Sequence, residues 1–379
     1  MFVTLQRLNG PYQITIDDIL NERDISAIRV DPSAAVITYK VDRISDKLKN
    51  KLRLYETLRD IKIFNEKYQD LINTIDKKEL YNSFCIPKRS GGLRQIDAPG
   101  ERLMKALNEM KRIFEEDLLF THHTIAYAYV NGRCTKDAVE KHRANNSRWF
   151  LKTDLHSFFN SSSTDFVLKM LYQIYPLSEY VYDTTFKREF EKMISLCFLN
   201  GGLPQGTPTS PMITNQMMIP IDYEMSKMCH ENKPHLVVTR YADDIHISSE
   251  YDFRWAEVQK KMMDILSSFG APFTINKEKT HYGSRSGRNW MLGLMLNNDG
   301  KITVGHQKKK IANAMIHQFM TDYSSGKEWS LEDTQKFSGE LAYFKSVEPQ
   351  YFADMIAKYN EKFHADLSKE IKSILAGTK

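Results

Sequence analysis

The spacing of apolar residues changes several times along the chain, and each change predicts an element. Val36-Ile37-Thr38-Tyr39-Lys40-Val41 is largely β-branched and reads as a strand. Residues 44–75 instead carry Leu48, Leu52, Leu54, Leu58, Ile61, Ile63 and Phe64 near helical spacing amid many charges. Between Phe84 and Pro99, two extended runs flank Ser90-Gly91-Gly92, which predicts a glycine hairpin. Residues 100–120 place Leu103, Leu107, Met110, Ile113 and Phe114 on one helical face, and 135–145 predict a further helix. His142 on that helix reads as a packing residue, because no second ligand-type residue lies four positions away. A buried strand opens at Trp149, followed by helical segments over 164–174 and 187–199 and a helix over 212–228 that Pro220 kinks. Two short strands surround residues 241–244; a helix over 255–269 and a strand over 273–276 follow. Residues 290–296 read as the first arm of a hairpin turning at Asn297-Asn298-Asp299-Gly300. Three helices close the chain, over 306–323, over 331–347 with Ser330 as cap, and from Pro349 to just before Gly377.

At 379 residues, 41% hydrophobic and 27% charged, the chain suits two or three packed globular units. No apolar run approaches the ~20 residues of a membrane span, and the first residues lack a signal-peptide pattern, so a cytoplasmic protein with no membrane partner is expected. Cys85, Cys134, Cys197 and Cys229 are too scattered for a zinc cluster or a disulfide framework. The net charge is only +5, but basic residues gather at Lys47 to Arg59, at Lys88, Arg89 and Arg94, at Lys136 to Arg143, at Lys277 and Lys279, and at Lys308-Lys309-Lys310. Such clusters suit a polyanion.

The candidate chemistry is acidic. Tyr241-Ala242-Asp243-Asp244 puts two carboxylates at a predicted hairpin turn, where they repel unless a cation lies beside them. A third acid, Asp154, sits inside the apolar strand Trp149 to Phe159, where an unpaired charge is costly. Residues 200–211, Asn200-Gly201-Gly202-Leu203-Pro204-Gln205-Gly206-Thr207-Pro208-Thr209-Ser210-Pro211, combine close-approach glycines with stiffening prolines ahead of a helix, which suits an anionic or sugar-phosphate partner. Three acids on neighbouring strands would serve two-metal phosphoryl chemistry, in which two divalent ions lie about 4 Å apart.

In this order the motifs resemble those of a reverse transcriptase over residues 80–300. The resemblance is carried by Ile86-Pro87-Lys88-Arg89, Leu151-Lys152-Thr153-Asp154-Leu155-His156-Ser157-Phe158-Phe159, Gly202-Leu203-Pro204-Gln205-Gly206, Tyr241-Ala242-Asp243-Asp244, Asn276-Lys277-Glu278-Lys279-Thr280 and Leu292-Gly293-Leu294. It implies an α+β right-hand polymerase: an N-terminal extension (1–75), fingers (76–150, with elements around 165–200), palm (151–300) and a helical thumb (301–379). It also implies RNA-directed DNA synthesis, with Asp154, Asp243 and Asp244 as catalytic acids. These and Leu155 are the implied metal ligands, for two Mg2+ ions with Mn2+ as a substitute. Lys88, Arg94, Phe159, Gln205 and Lys279 are implied to meet the dNTP, with Phe159 excluding a ribose 2′-OH. Gly206, Tyr241, Gly293 and Lys308 to Lys310 are implied to meet primer and template. The implied partners are an RNA template, a DNA product or RNA–DNA heteroduplex, and a second copy of the chain if the enzyme is oligomeric.

Within that family the chain is similar to the bacterial retron, abortive-infection and defence-associated group. Asp137-Ala138-Val139-Glu140-Lys141-His142 and Met291-Leu292-Gly293 depart from the retron pattern, which favours a defence enzyme outside the retrons, working from a dedicated noncoding RNA. Retron synthesis, an untemplated or protein-primed polymerase, and an inactive nucleic-acid scaffold are the alternatives. An intact set of three acids disfavours the scaffold.

Overall fold

The structure, a computed structural model, describes residues 2–6, 25–31, 36–41, 46–87, 91–118, 121–232, 234–285, 290–297 and 299–377. It is an α+β protein of two compact units, each assembled from two stretches of chain: Met1–Thr121 with Phe159–Met217, and His122–Phe158 with Met218–Lys379.

In the first unit, β1 (Phe2–Gln6), β2 (Ile25–Asp31) and β3 (Val36–Val41) form an antiparallel sheet with β3 in the centre. The predicted strand over 36–41 is this β3. The helix Asp46–Lys67 buries Leu58, Ile61 and Phe64, and the helices Glu101–Glu116 and Thr184–Ile194 bury Leu103, Leu107, Met110 and Phe114, and Phe186, Phe190 and Met193. Phe114 meets Phe190 at 5.8 Å between ring centres, and Asn65 Nδ2 donates to Glu189 O and Oε2 at 2.9 and 3.0 Å. The predicted glycine hairpin is β4 (Tyr81–Pro87) against β5 (Leu93–Pro99), with Gly91 and Gly92 at φ 86° and 80°.

The sequence pattern merged two helices into one. Thr209–Met217 and Ile219–Glu231 are separate, with the break at Met218, because Pro220 occupies the first turn of the second helix and has no N–H to continue the first.

In the second unit, β6 (Trp149–His156), β7 (Val237–Tyr241), β8 (Asp244–Ser249), β9 (Thr274–Ile275) and β10 (His281–Ser284) make an antiparallel sheet ordered β10-β6-β8-β7, with β9 also paired to β6. Strand alternation sorts its residues. Leu151, Ile247 and Val238 lie in register on one face; Lys152, His246 and Thr239, then Asp154, Asp244 and Tyr241, lie in register on the other. The helix Thr135–Ala144 fastens to that second face through His142, whose ring nitrogens hydrogen-bond Ser248 Oγ (2.5 Å) and Thr239 Oγ1 (2.8 Å). Burial drives its pKa well below the usual imidazole value, so it is the neutral packing residue expected.

Next come β11 (Trp290–Met291), β12 (Leu294–Leu296) and β13 (Ile302–Thr303), then helices His306–Ser324, Leu331–Val347, Pro349–Phe363 and Leu367–Leu375. Val139 and Phe150 join Leu294, Ile316, Phe319, Phe337 and Phe352 in one apolar cluster, which ties sheet to helices within this unit. Ser330 caps its helix as predicted, accepting from Asp333 N at 3.0 Å. Two expectations are corrected. The apolar run 290–296 is not one arm but two strands turning at Leu292–Gly293, hidden because one member of the turn is a leucine. The expected single last helix is two, broken at His364 (φ 51°) and restarted by Asp366, which accepts from Ser368 N and Lys369 N. No helix among the described residues is long and apolar enough to cross a membrane.

Candidate active site

Asp154 and Asp244 are direct cross-strand partners, and Asp243 occupies the β7–β8 turn beside them. Opposite residues in an antiparallel pair have Cα atoms about 4.5–5.5 Å apart, so the two carboxylates are held together by the ladder itself. Leu155 N donates to Asp243 O at 3.0 Å, joining the turn to β6 beyond the last ladder pair. On the other side Asn276 N donates to Asp154 O at 2.9 Å and brings up Lys279, whose Nζ lies 2.9 Å from Asp154 Oδ2. The sheet thus brings together Asp154, Leu155, Asp243, Asp244 and Lys279, predicted site residues separated by up to 125 positions.

The electrostatics are those of crowded acids. Asp154 is buried, and its Oδ1 has no hydrogen-bond partner. Removal from bulk water, then the like charges of Asp243 and Asp154, push Asp244 up to about 6, against the opposing effect of Lys279. The hydrogen bond to Asp154 raises Lys279. Among the described residues no three His, Cys, Asp or Glu side chains converge into a finished metal cage. The donor set nevertheless fits a hard divalent cation, which takes carboxylate oxygens and fills its remaining positions with water and phosphate. An orphaned buried carboxylate oxygen beside two further acids is what such an ion would satisfy.

Behind the acids lies a support that sequence reasoning missed. Arg240, fully buried on β7, donates to both oxygens of Asp222 at 2.7 Å and to Ala242 O at 3.2 Å. Its backbone bonds Ile125 and Tyr127 at 2.7 and 2.9 Å, adding the 125–127 segment beside β7. Ala242 is left-handed (φ 58°), a conformation an L-residue keeps only when held. The guanidinium therefore fixes the carbonyl that precedes Asp243. The available signal was a lone arginine in an otherwise apolar strand, which had to be paired inside. His246, equally buried two residues from Asp244, has no hydrogen-bond partner on either ring nitrogen, and burial pushes it down to about 3.

Other predicted residues group in the first unit. Phe159 O accepts from Leu203 N at 3.0 Å, and Gln205 O from Asp97 N at 2.8 Å, so Phe159 and Gln205 flank the loop that joins β5. The glycines of this loop serve the chain's own packing. Asn200 and Gly201 (φ 52° and 80°) form a tight turn closed by paired Leu199–Gly202 bonds. A Cβ on Gly202 would lie 2.1 Å from Asn160 O, and one on Gly206 2.9 Å from the Ile96 side chain. Arg94 is exposed on β5, opposite Ile86; Lys88 lies outside the described residues.

In the second unit, Tyr241 is half-buried beside Asp244, and Gly293 is in the β11–β12 turn. Lys308 and Lys309 are engaged internally: Lys308 Nζ donates to Gly293 O at 2.6 Å, and Lys309 pairs with Glu348 at 2.6 Å. Lys310 is exposed.

Residues 86–322 match the family model described as reverse transcriptase (RNA-dependent DNA polymerase). The chain is 29% identical over 302 residues to the Retron Ec83 reverse transcriptase of Escherichia coli, covering 76% of this chain and 90% of that protein. It is 28% identical over 285 residues to the Retron Ec73 reverse transcriptase of Escherichia coli, covering 72% and 85%. A solved structure of apo telomerase from Candida tropicalis superposes with a TM-score of 0.45 at 13% identity, covering 87% of this chain and 66% of that one.

Proposed function

This chain belongs to the reverse transcriptase (RNA-dependent DNA polymerase) family and is an RNA-directed DNA polymerase, and from that premise we propose a retron-type enzyme that copies a dedicated noncoding RNA into DNA in antiphage defence. The observation that carries the assignment of the site is the Asp154–Asp244 cross-strand pair with an unsatisfied Asp154 oxygen. The family works with divalent metal ions. Here two Mg2+ ions, with Mn2+ able to substitute, would be held by Asp154, Asp243, Asp244 and the Leu155 carbonyl, and when bound they would activate the attacking oxygen and stabilise the leaving one.

The primer 3′-oxygen bonds to the α-phosphorus of the dNTP, the bond to the β-phosphate oxygen breaks, pyrophosphate leaves, and the hydroxyl proton passes to solvent. Lys279, which neutralises Asp154 in the resting site, turns its ammonium to the incoming triphosphate. Gln205 and Arg94 orient the nucleotide, and Phe159 packs under its sugar. Gly206, Tyr241, Gly293 and Lys310 meet primer and template.

The relatives named above are retron enzymes, which supports retron-type synthesis over the defence member outside the retrons that the departures at residues 137–142 and 291–293 favoured. Incubation of the protein with each dNTP, with and without the RNA that co-purifies with it, tests this reading. RNA-dependent cDNA of defined sequence supports it. RNA-independent tails would assign an untemplated polymerase, and no product would assign a scaffold.

A further inference from the structure

Leu292 and Gly293 are both left-handed (φ 53° and 76°) in a two-residue turn that closes Met291 on Leu294. Leucine resists that conformation, so the turn has to be held from outside. Three contacts do this. The Trp290 ring covers Gly305, where a Cβ would lie 2.2 Å from the ring. Lys308 Nζ donates to Gly293 O, and Lys152 Nζ donates to Trp290 O. Gly305 and Lys308 belong to the chain that follows the turn; Lys152 belongs to the acid-bearing sheet.

Lys152 precedes Asp154 by two residues on the same face of β6, about 7 Å along the strand. A lysine so close to three acids would ordinarily pair with them, but Asp154 takes Lys279 as its cation. The Lys152 ammonium points instead to a backbone carbonyl of another sheet.

We propose that Lys152 is a positioning residue for polymerisation: by tying Trp290 to β6 it fixes the 292–293 turn relative to Asp154 and Asp244, and so sets where the DNA 3′-hydroxyl stands. This rests on the reading of that turn as the primer-holding element, and the experiment separates the two.

Lys152→Met, Lys152→Gln, Lys152→Arg and Gly293→Ala are compared for single-dNTP addition to a primer–template, with 2-aminopurine at the primer terminus reporting its placement. Lys152→Met is expected to lower kcat tenfold to a hundredfold and to shift the 2-aminopurine signal. The dNTP KM, the Mg2+ half-saturation and the melting temperature should stay within twofold or unchanged. Lys152→Arg, whose guanidinium reaches the same carbonyl, should recover most of kcat. If methionine disturbs folding, Lys152→Gln, too short to reach, must show the same kcat loss with wild-type melting.

Gly293→Ala, strained at φ +76° with a Cβ 3.4 Å from Lys308 Nζ, should weaken primer use by itself. Wild-type kcat and signal in Lys152→Met beside a defective Gly293→Ala would overturn the proposal and leave the turn's role standing. An unaffected Gly293→Ala would overturn the role of the turn, and the proposal with it.

Discussion

Arg240→Met removes a guanidinium that does two separable things, and the structure says how large each is. The Arg240–Asp222 pair is fully buried, with both bidentate contacts at 2.7 Å. Deleting one partner strands a buried carboxylate and costs about 3–5 kcal/mol. At roughly 2–4 °C per kcal/mol for a unit of this size, the melting temperature should fall by about 6–20 °C. The same change removes the 3.2 Å donor to Ala242 O and frees the left-handed residue next to Asp243. A displacement of about 1 Å in the acid turn is enough for a loss near a hundredfold in kcat.

The double variant Asp222→Leu with Arg240→Met separates the two effects. Replacing both members of a buried pair by apolar side chains is often neutral, so most of the melting temperature should return. The Ala242 carbonyl still lacks this donor, so kcat should not return. Differential scanning calorimetry and single-dNTP incorporation at saturating Mg2+ read the two quantities on the same samples. A double variant that recovers turnover along with stability would refute the positioning role, and wild-type melting in the single variant would refute the buried-pair estimate.

Three further outcomes follow from the geometry. Phe159→Ala should admit ribonucleotides, because it removes the ring but leaves the Phe159 carbonyl bonded to Leu203; an unchanged dNTP over NTP preference would place the gate elsewhere. Asp244, raised from 3.8 to about 6, holds a proton that a divalent ion must displace, so the metal half-saturation should rise about tenfold per pH unit below 6 and be flat above it. By the same sign, Asp244 in the folded metal-free protein holds its proton to higher pH than in the unfolded chain, so the stability this one group contributes is fully present below about pH 4 and is lost as pH rises through about 6; melting curves of wild type and Asp244→Asn without Mg2+ test this. Lys310→Gln should reduce the salt slope of RNA binding by about one unit. Lys308→Gln and Lys309→Gln should act instead on melting, since Gly293 and Glu348 hold those two. Equal slope losses from all three would contradict that division.

What was legible in the sequence was whatever one local pattern specifies. The β-branched flanks of Tyr241-Ala242-Asp243-Asp244 gave the hairpin, Ser330 with Asp333 gave a helix start, and the lone Asp154 in an apolar run pointed to a partner, of which Lys279 is one. The rest depended on which distant segments meet. Asp222 and Arg240 look like a surface acid and a strand cation until the fold buries both. The Leu292–Gly293 turn was masked by its leucine, and the glycine pattern of 201–206 carries no mark of the close packing that Gly202 makes with Asn160 and Gly206 with Ile96. Lys308 and Lys309 read as open to phosphate because a run of lysines carries no mark of the carbonyl and carboxylate that take them.

The most direct test of the central claim is cDNA synthesis on the co-purifying RNA by the wild type and by Asp243→Asn, with RNA binding measured alongside. Removing one metal-facing charge should abolish nucleotide incorporation while RNA affinity and melting temperature stay close to wild type, since affinity comes mainly from basic surface. Synthesis by Asp243→Asn at the wild-type rate would contradict the assignment of Asp154, Asp243 and Asp244 as the acids that carry the reaction.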